Sequence, residues 1–385
     1  MKHKKLLFAA TAIAMAAATN ANAQSFVAGS LRYTIGGDSV TVKADTKADE
    51  NIAIPDSVEY GEGEAAKKYA VKGIDPSGFF GCTKLRSITL PQTITDIGRA
   101  AFWNCKSLEA LDIPEAVTAI NPAVFTLCRS LKRISAGKRL KSIEPGSFMS
   151  CTSLDNIEIS EENPHFKSDG GTVYTKDGET LLAHTGSAAK FSIPQGVKTI
   201  GNSAFWYCEN MKSVAIPASV TTIEKDAFNG SGLTEVSIPQ SVASIGDMAF
   251  GYCNSLDTVR VEWQKPPAIT RATFQNNTRT LIVPEGTSDT YRAAQGWNAF
   301  RNIAETPTGI KNIKKEENAL RATSSGGTAT LESATFSGIA RITSAAGEAV
   351  RTLRLKPGEK ATLTLPKGTY IINTDNAGTK KFLVR

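Results

Sequence analysis

The stretch CKSLEALDIPEAVTAINPAVFTLC, residues 105–128, contains one complete unit of a repeat that runs through most of this chain. Its apolar residues follow the spacing L-x-x-L-x-I-P-x-x-V-x-x-I, and the unit closes with a phenylalanine three residues before a cysteine. The same pair occurs as Phe79/Cys82, Phe102/Cys105, Phe125/Cys128, Phe148/Cys151, Phe205/Cys208 and Phe250/Cys253. The first four pairs lie 23 residues apart, and a fixed period of this length indicates a solenoid.

Each unit predicts one short strand followed by a turn or a helical half-coil. The alternation Leu111-Asp112-Ile113 is typical of a strand, and Pro114 ends it because proline has no backbone N–H to donate. One unit cannot bury its own apolar face, so neighbours must stack, with equivalent strands about 4.8 Å apart in a parallel sheet. The predicted fold class is therefore an α/β solenoid, a curved right-handed stack with one sheet face open to solvent. The residues predicted to point into its core are Leu108, Leu111, Ile113, Val117, Ile120 and Phe125.

The repeated pattern L-x-x-I-x-I-P-x-x-V-x-x-I-x-x-x-A-F-x-x-C resembles the BspA-like (TpLRR-type) leucine-rich repeats of bacterial surface proteins, over roughly residues 51–303. An interruption at about residues 160–190 resembles the variant repeat in which a small β-hairpin replaces the ordinary coil. The segment from Pro266 to Tyr291 resembles the closing cap of that family. The resemblance implies an adhesin or protein-binding surface protein, with host matrix proteins or neighbouring cells as partners.

The composition of residues 1–327 indicates four successive regions. Residues 1–23 combine three lysines, an apolar stretch and Ala21-Asn22-Ala23, which is typical of a cleaved signal peptide and predicts a secreted or cell-surface protein. Residues 24–75 predict an N-terminal β-hairpin cap, because alternating segments flank Gly36-Gly37-Asp38. Residues 76–303 hold the solenoid, and residues 304–327 read as a polar linker.

Residues 328–385 predict a small β-sandwich, since short alternating segments recur with glycine and proline between them. Leu365-Pro366-Lys367-Gly368-Thr369-Tyr370 and the terminal Lys381-Phe382-Leu383-Val384-Arg385 resemble the sorting domain of Por-type (type IX) secretion. That resemblance implies contact with the export machinery. A β-sandwich accessory domain with no sorting role is the alternative interpretation.

The net charge of +7 does not indicate a nucleic-acid partner once it is divided along the chain. Residues 309–385 hold 13 basic and 6 acidic residues, and the signal peptide adds three lysines. Residues 24–308 hold 28 basic and 31 acidic residues, so the repeat region is nearly neutral.

Six cysteines in an exported protein would ordinarily predict disulfides. Here all six occupy the same position of the repeat, where adjacent side chains run parallel at about the inter-coil distance of 4.8 Å. A disulfide needs its Cβ atoms about 3.8 Å apart. The sequence therefore predicts a ladder of unbridged, buried thiols that act as small apolar groups. A metal site is disfavoured because no second type of ligand lies nearby in the repeat.

An enzyme is disfavoured because the chain lacks familiar catalytic motifs, and no cofactor is expected. Only His165 and His184 follow the signal peptide. Asp169, Asp177 and Glu179 could form a carboxylate pair, but the glycines beside them are more typical of hairpin turns.

Two classes of binding protein stay open, an adhesin with a protein ligand and a glycan-binding or substrate-capturing accessory protein. The two positions between Phe and Cys are expected outside the buried pair, and the candidate ligand-binding residues there are Phe80, Trp103, Trp206, Tyr207 and Tyr252. Packing across coil edges or under the variant hairpin is the structural alternative. The competing surface is the open sheet face, which carries Glu109, Asp112, Lys132, Arg133, Asp155, Glu158 and Glu235.

Overall fold

A computed structural model of the chain describes residues 24–45, 49–275, 279–306, 320–325, 328–333, 338–344, 349–374 and 379–384. The chain divides into two units, the first ending at Thr306 and the second beginning at Pro307. The predicted signal peptide and most of the predicted linker lie outside the described residues.

The first unit begins with a sheet whose apolar side chains join the core of the solenoid. Its region contains β1 (Ser25–Ala28), β2 (Leu31–Gly36), β3 (Ser39–Ala44), β4 (Asn51–Ala53), β5 (Ser57–Tyr60), a 3-10 helix (Gly63–Ala65) and β6 (Lys67–Ile74). Strands β2 and β3 form the antiparallel hairpin that the sequence predicts. Residues 24–75 also contain β4, which pairs in parallel with the first strand of the solenoid, β7 (Ser87–Thr89). The solenoid sheet therefore starts inside the region predicted as the cap.

Each coil of the solenoid contributes one short strand to a row of parallel strands, which hydrogen bonds join in runs of five, two and four when β4 is included. These strands are β7, β9 (Ala110–Asp112), β11 (Arg133–Ala136), β13 (Asn156–Ile159), β17 (Lys190–Ser192), β19 (Ser213–Ala215), β21 (Glu235–Ile238), β23 (Thr258–Val261), β24 (Thr280–Val283) and β25 (Asn302–Glu305). Leu111, Ile134 and Ile157 are partners in the register, and all three are buried. The 23-residue repeat is thus one turn of the stack, as predicted.

The opposite side of each coil is not helical, so the α/β assignment is wrong. The V-x-x-I segments end in two-residue strands, β8 (Asp96–Ile97), β10 (Ala119–Ile120), β12 (Ser142–Ile143), β18 (Thr199–Ile200), β20 (Thr222–Ile223) and β22 (Ser244–Ile245). These also pair in parallel between coils, for example β10 with β12. The first unit is therefore a β-solenoid of stacked coils.

Left-handed residues explain why the segment around each phenylalanine forms turns instead of a helix. Around Phe102, Ala100 and Asn104 have φ angles of 55° and 62°, and an α-helix needs consecutive right-handed residues. The backbone closes two successive turns, with Ala101 donating to Gly98 and Cys105 donating to Phe102, both at 3.1 Å. The amide of Asn104 donates instead to the carbonyl of Thr126 in the next coil, at 2.7 Å.

The core contains the predicted apolar residues, with relative exposures of 0 to 7% for Leu108, Leu111, Ile113, Val117, Ile120 and Phe125. Phenylalanine rings of successive coils are nearly parallel, so that Phe102, Phe125 and Phe148 stack with centroids 5.9 Å apart. The ladder resumes after the interruption with Phe205, Phe228, Phe250 and Phe274.

All six cysteines are free, which confirms the prediction of unbridged thiols. The thiols also form hydrogen bonds that the prediction did not include. In four coils Sγ donates to the carbonyl of the phenylalanine in the preceding coil, namely Cys105 to Phe79, Cys128 to Phe102, Cys151 to Phe125 and Cys253 to Phe228, at 3.0 to 3.1 Å. Burial raises the pKa of Cys151 to about 12, so its thiol keeps the proton that it donates.

The interruption contains three antiparallel strands, β14 (Phe166–Asp169), β15 (Thr172–Thr175) and β16 (Thr180–His184), within the predicted variant repeat. Strand β16 then pairs in parallel with β18, so the stack continues beyond the inserted hairpin.

The solenoid ends on the described chain's one α-helix, α1 (Ser288–Ala293), and a 3-10 helix (Trp297–Ala299). Tyr291 and Trp297 are fully buried, and the Trp297 ring lies 5.6 Å from that of Phe274. Within the described ranges, no helix has the length and apolar character needed to cross a membrane.

The second unit contains two antiparallel sheets. One has β26 (Leu320–Ser325), β27 (Thr328–Ser333) and β30 (Lys360–Thr364); the other has β28 (Gly338–Ser344), β29 (Ala349–Leu355), β31 (Gly368–Thr374) and β32 (Thr379–Val384). Leu331 of the first sheet and Ile342 of the second belong to one buried cluster. The β-sandwich itself stays a prediction.

Candidate functional site

The outward side chains of the parallel strand row form one candidate surface, which we call the strand face. Within β9, Leu111 points into the core while Ala110 and Asp112 point outward. Equivalent outward residues of successive coils line up in columns because the strands pair without a shift, as for Asp112 and Ser135. The strand face is therefore a regular surface with a rigid backbone.

Charged residues of alternating sign neutralise one another along the strand face. Arg86 lies 3.7 Å from both Glu50 and Glu109, and Lys132 lies 3.8 Å from Glu109. In the adjacent column Arg133 pairs with Asp112 at 2.8 Å and with Glu158 at 3.4 Å. Such exposed pairs contribute little to stability, but they leave no large field of one sign.

Two carboxylates of the strand face, Asp112 and Asp155, accept hydrogen bonds from neighbouring residues. A hydrogen bond from Ser135, and the Arg133 guanidinium beside it, hold the pKa of Asp112 below its usual range. Asp155 accepts a hydrogen bond from the amide of Ser187 at 2.8 Å, so it fixes the chain where it leaves the inserted hairpin.

The residues between Phe and Cys of each coil form the second candidate surface, which we call the turn face. The sequence predicted that both positions lie outside the buried pair, and Thr126, which is fully buried, shows that this is wrong in at least one coil. Phe80 is 56% exposed and contacts the half-buried Trp103, with ring centroids 6.0 Å apart. The structure thus brings these two aromatic residues together on consecutive coils, as predicted.

Trp206 is half-buried and packs against the coil that precedes the inserted hairpin. A Cβ on Gly146 would lie 2.7 Å from the Trp206 ring, so the ring covers that glycine across the interruption. Its indole N–H is buried and has no hydrogen-bond partner in the described part of the chain. Two small cavities border the ring, of about 10 Å³ and about 20 Å³, and each has room for about one water. Trp206 therefore fills a gap that the irregular repeat leaves.

Tyr207 and Tyr252 are exposed, at 37% and 39%. Both residues have a φ of 53°, in the left-handed region. A Cβ on Gly230 would lie 3.0 Å from ring carbons of Tyr207, so that ring lies against the backbone of the next coil. The hydroxyl of Tyr252 accepts a hydrogen bond from Gln275 at 3.3 Å.

His184 occupies the position of the missing phenylalanine. Its ring lies 5.1 Å from Phe205 and 4.0 Å from Phe191, and Cys208 Sγ donates to its carbonyl at 3.2 Å. Nδ1 shares a hydrogen bond with Thr172 Oγ1 at 2.8 Å. Burial lowers the pKa of His184 to about 4, so the ring is neutral at physiological pH.

The carboxylates of the hairpin stabilise its turn. Asp177 accepts hydrogen bonds from the Thr175 hydroxyl at 2.6 Å and from the Glu179 amide at 2.9 Å, and these lower its pKa. Glu179 pairs with Lys198. In the described ranges, no group of three or more His, Cys, Asp or Glu side chains could hold a metal ion.

A family model described as the BspA type leucine rich repeat region matches residues 66–169 and 178–293 with six copies, more than half of the chain. None of the curated proteins matches the sequence.

Solved structures with a similar fold include several bacterial proteins. A leucine-rich repeat protein from Eubacterium ventriosum is 21% identical, and the match covers 71% of this chain and 82% of that protein's chain, with a TM-score of 0.48. The pneumococcal vaccine antigen PcpA is 16% identical, with coverages of 74% and 99% and a TM-score of 0.44. The leucine rich repeat protein of T. pallidum is 23% identical, with coverages of 59% and 88% and a TM-score of 0.35.

Proposed function

This chain belongs to the family of BspA type leucine rich repeat proteins, and we propose that it is an exported, non-enzymatic protein of the cell surface that binds other proteins on its strand face. The observation that carries the proposal is the row of parallel strands, which presents outward side chains in straight columns on a rigid backbone. Host matrix proteins or proteins of neighbouring cells are the proposed partners.

Size favours the strand face as the protein-binding surface. A stable interface needs about 800 Å² from each partner, and the hydrogen-bonded runs of five and four strands extend along the stack. The alternating charges give no long-range attraction, so selectivity comes from matching individual pairs in register. Because the coils are stacked and hydrogen-bonded, little backbone entropy is lost when a partner binds.

We expect the double charge reversal Lys132→Glu/Arg133→Glu to weaken binding of a matrix-protein partner at least tenfold. Both side chains lie on the strand face, and their reversal places like charges beside Glu109, Asp112 and Glu158. Surface plasmon resonance against immobilised collagen, laminin and fibronectin measures the change.

Lys141→Glu is the matched control, because Lys141 is exposed and precedes β12 on the other side of the coil. Equal binding by the double variant and the wild type, at equal thermal stability, would place the protein-binding surface elsewhere.

Export and attachment are assigned to the two ends of the chain. Residues 1–23 act as the signal peptide in this proposal, and the second unit acts as a β-sandwich sorting domain, supported by the resemblance of its Leu365–Tyr370 and terminal motifs. Its separate hydrophobic cluster supports a domain that folds apart from the solenoid.

Deletion of residues 307–385 is expected to abolish surface display while leaving the solenoid folded. Fractionation of expressing cells tests the first outcome, and circular dichroism of purified residues 24–306 tests the second. Unchanged display of the truncated protein would remove the sorting role, and an unfolded truncated protein would show that the solenoid depends on the second unit.

A further inference from the structure

Tyr207 and Tyr252 occupy a backbone position that disfavours bulky residues. Both have a φ of 53°, two residues after the phenylalanine of their coils. The same slot of other coils holds Gly81, Asn104, Ser150 and Gly230, residues that are small or tolerate this conformation, although Leu127 also occurs there. A left-handed residue with a Cβ costs roughly 1–2 kcal/mol. Hydrogen bonds to the next coil impose this conformation, with Tyr207 N–H donating to Asn229 and Tyr252 N–H donating to Gln275, so each tyrosine carries a cost that glycine would avoid.

The same two residues also expose aromatic surface to water. Only five large hydrophobic side chains count as exposed in the described part of the chain, and Tyr207 and Tyr252 are two of them. Most other aromatic rings of the solenoid are buried in the phenylalanine ladder, and Phe80 is the other exposed one among the described residues. Tyr207 and Tyr252 therefore combine a left-handed backbone with an exposed aromatic ring, and they do so at equivalent positions of two coils.

The two tyrosines occupy equivalent positions of the turn face, and the coil between them has glycine at that position. They belong to coils two steps apart, a separation of about 10 Å. The intervening coil contributes Gly230, whose missing side chain lets the Tyr207 ring rest on the backbone. Gln275 holds the hydroxyl of Tyr252 toward the following coil. A ligand that touches both rings therefore meets no side chain from Gly230 between them.

The segments that carry the two rings and the turn between them are uncharged. Residues 206–208, 229–232 and 251–254 contain no acidic or basic side chain, and Gln275 is also neutral. The neighbouring Glu209 is paired with Arg129 at 3.6 Å, and Lys212, whose ammonium lies beside Gly232, donates to the Glu209 carbonyl at 3.1 Å. The polar groups on offer are amides and hydroxyls, which both donate and accept hydrogen bonds.

We propose that this part of the turn face binds an uncharged oligosaccharide, with one sugar ring on Tyr207 and another on Tyr252. Aromatic rings present an apolar face to the C–H groups of a sugar, while tyrosine hydroxyls and amides pair with its hydroxyls. A protein partner needs about 800 Å² per side, far more than two tyrosines and the glycine between them offer. This site goes beyond the proposed protein binding and lies on a different face, so either proposal can fail alone.

The test uses the full mature chain and a panel of uncharged hexasaccharides built from glucose, mannose, galactose, xylose or N-acetylglucosamine, with a sialylated oligosaccharide as the charged comparison. Isothermal titration calorimetry should show binding of at least one uncharged member. The double variant Tyr207→Gly/Tyr252→Gly should bind at least tenfold more weakly while its melting temperature stays equal or rises, because glycine relieves the left-handed strain.

Leu127→Gly is the matched control, since it makes the same backbone change on another coil and should leave sugar affinity unchanged. Tyr207→Asn/Tyr252→Asn repeats the test should the glycine variant fold poorly, because Asn104 already holds the same left-handed position in its own coil. The proposal is overturned if no uncharged hexasaccharide binds the wild type, if the sialylated ligand binds more tightly, or if the tyrosine variants keep their affinity within twofold.

Discussion

Replacing Phe125 by alanine is expected to destabilise the first unit by about 3 to 5 kcal/mol. The Phe125 ring is fully buried and stacks with Phe102 on one side and Phe148 on the other, at 5.9 Å each. Truncation therefore leaves a cavity between two rings that the backbone hydrogen bonds of neighbouring coils hold apart. Because each coil contacts only its neighbours, a central cavity weakens two interfaces at once. Urea denaturation followed by circular dichroism measures the loss.

Phe80→Ala is the matched control, as it removes the same atoms from a ring that is 56% exposed on the turn face. Its cost should stay below about 1 kcal/mol, since the ring contacts only part of Trp103 and remains largely in water. Similar losses in the two variants would contradict the assignment of the phenylalanine ladder as the main support of the stack.

The repeat pattern was sufficient to predict the stacked coils and their core. Apolar positions such as Leu108 and Ile120 are fixed by the period alone, because every copy must bury the same face. The left-handed turns could not be predicted in this way. Ser77, Ala100, Asp226 and Met248 fill one of the left-handed positions, so no recurrent glycine marks it. Hydrogen bonds between coils impose the conformation, and they exist only once the coils have stacked.

The candidate site was predicted only in part, because its side chains depend on the irregular repeat. The repeat pattern assigned five aromatic residues to the two positions between Phe and Cys: Phe80, Trp103, Trp206, Tyr207 and Tyr252. It could not show that the Trp206 ring packs across the inserted hairpin and covers Gly146. It also missed the strain at the two tyrosines, which depends on backbone angles. Their role in binding stays a prediction.

A signal for the position of His184 was present in the sequence. Ala183-His184-Thr185-Gly186-Ser187 shares alanine, glycine and serine at the same spacing with Ala227-Phe228-Asn229-Gly230-Ser231, with histidine in place of phenylalanine and threonine in place of asparagine. The hairpin disguises this copy because it is inserted between the strand β13 and His184, so the usual spacing from strand to ring is lost. In the structure His184 therefore belongs to the phenylalanine ladder and not to an exposed hairpin surface.

Acid is expected to weaken the first unit through His184, by about 3 kcal/mol between pH 6.5 and pH 4. Burial lowers the pKa of His184 to about 4 in the folded chain, from 6.5 when it is exposed, and the nearby Asp155 offsets only part of this effect. Below pH 6.5 the unfolded chain therefore takes up a proton that the folded chain does not. Unfolding becomes more favourable down to pH 4 and gains no more from this group below that pH.

The variant His184→Phe isolates this contribution from the carboxylates that also titrate in acid. It restores the regular ladder residue and removes the ionisable ring, although it gives up the hydrogen bond to Thr172. The free energy of unfolding of the wild type should fall by about 3 kcal/mol more than that of the variant across this pH range. Parallel curves for His184→Phe and the wild type would show that the ring is hydrated in the folded chain, which its contacts with Phe191 and Phe205 argue against.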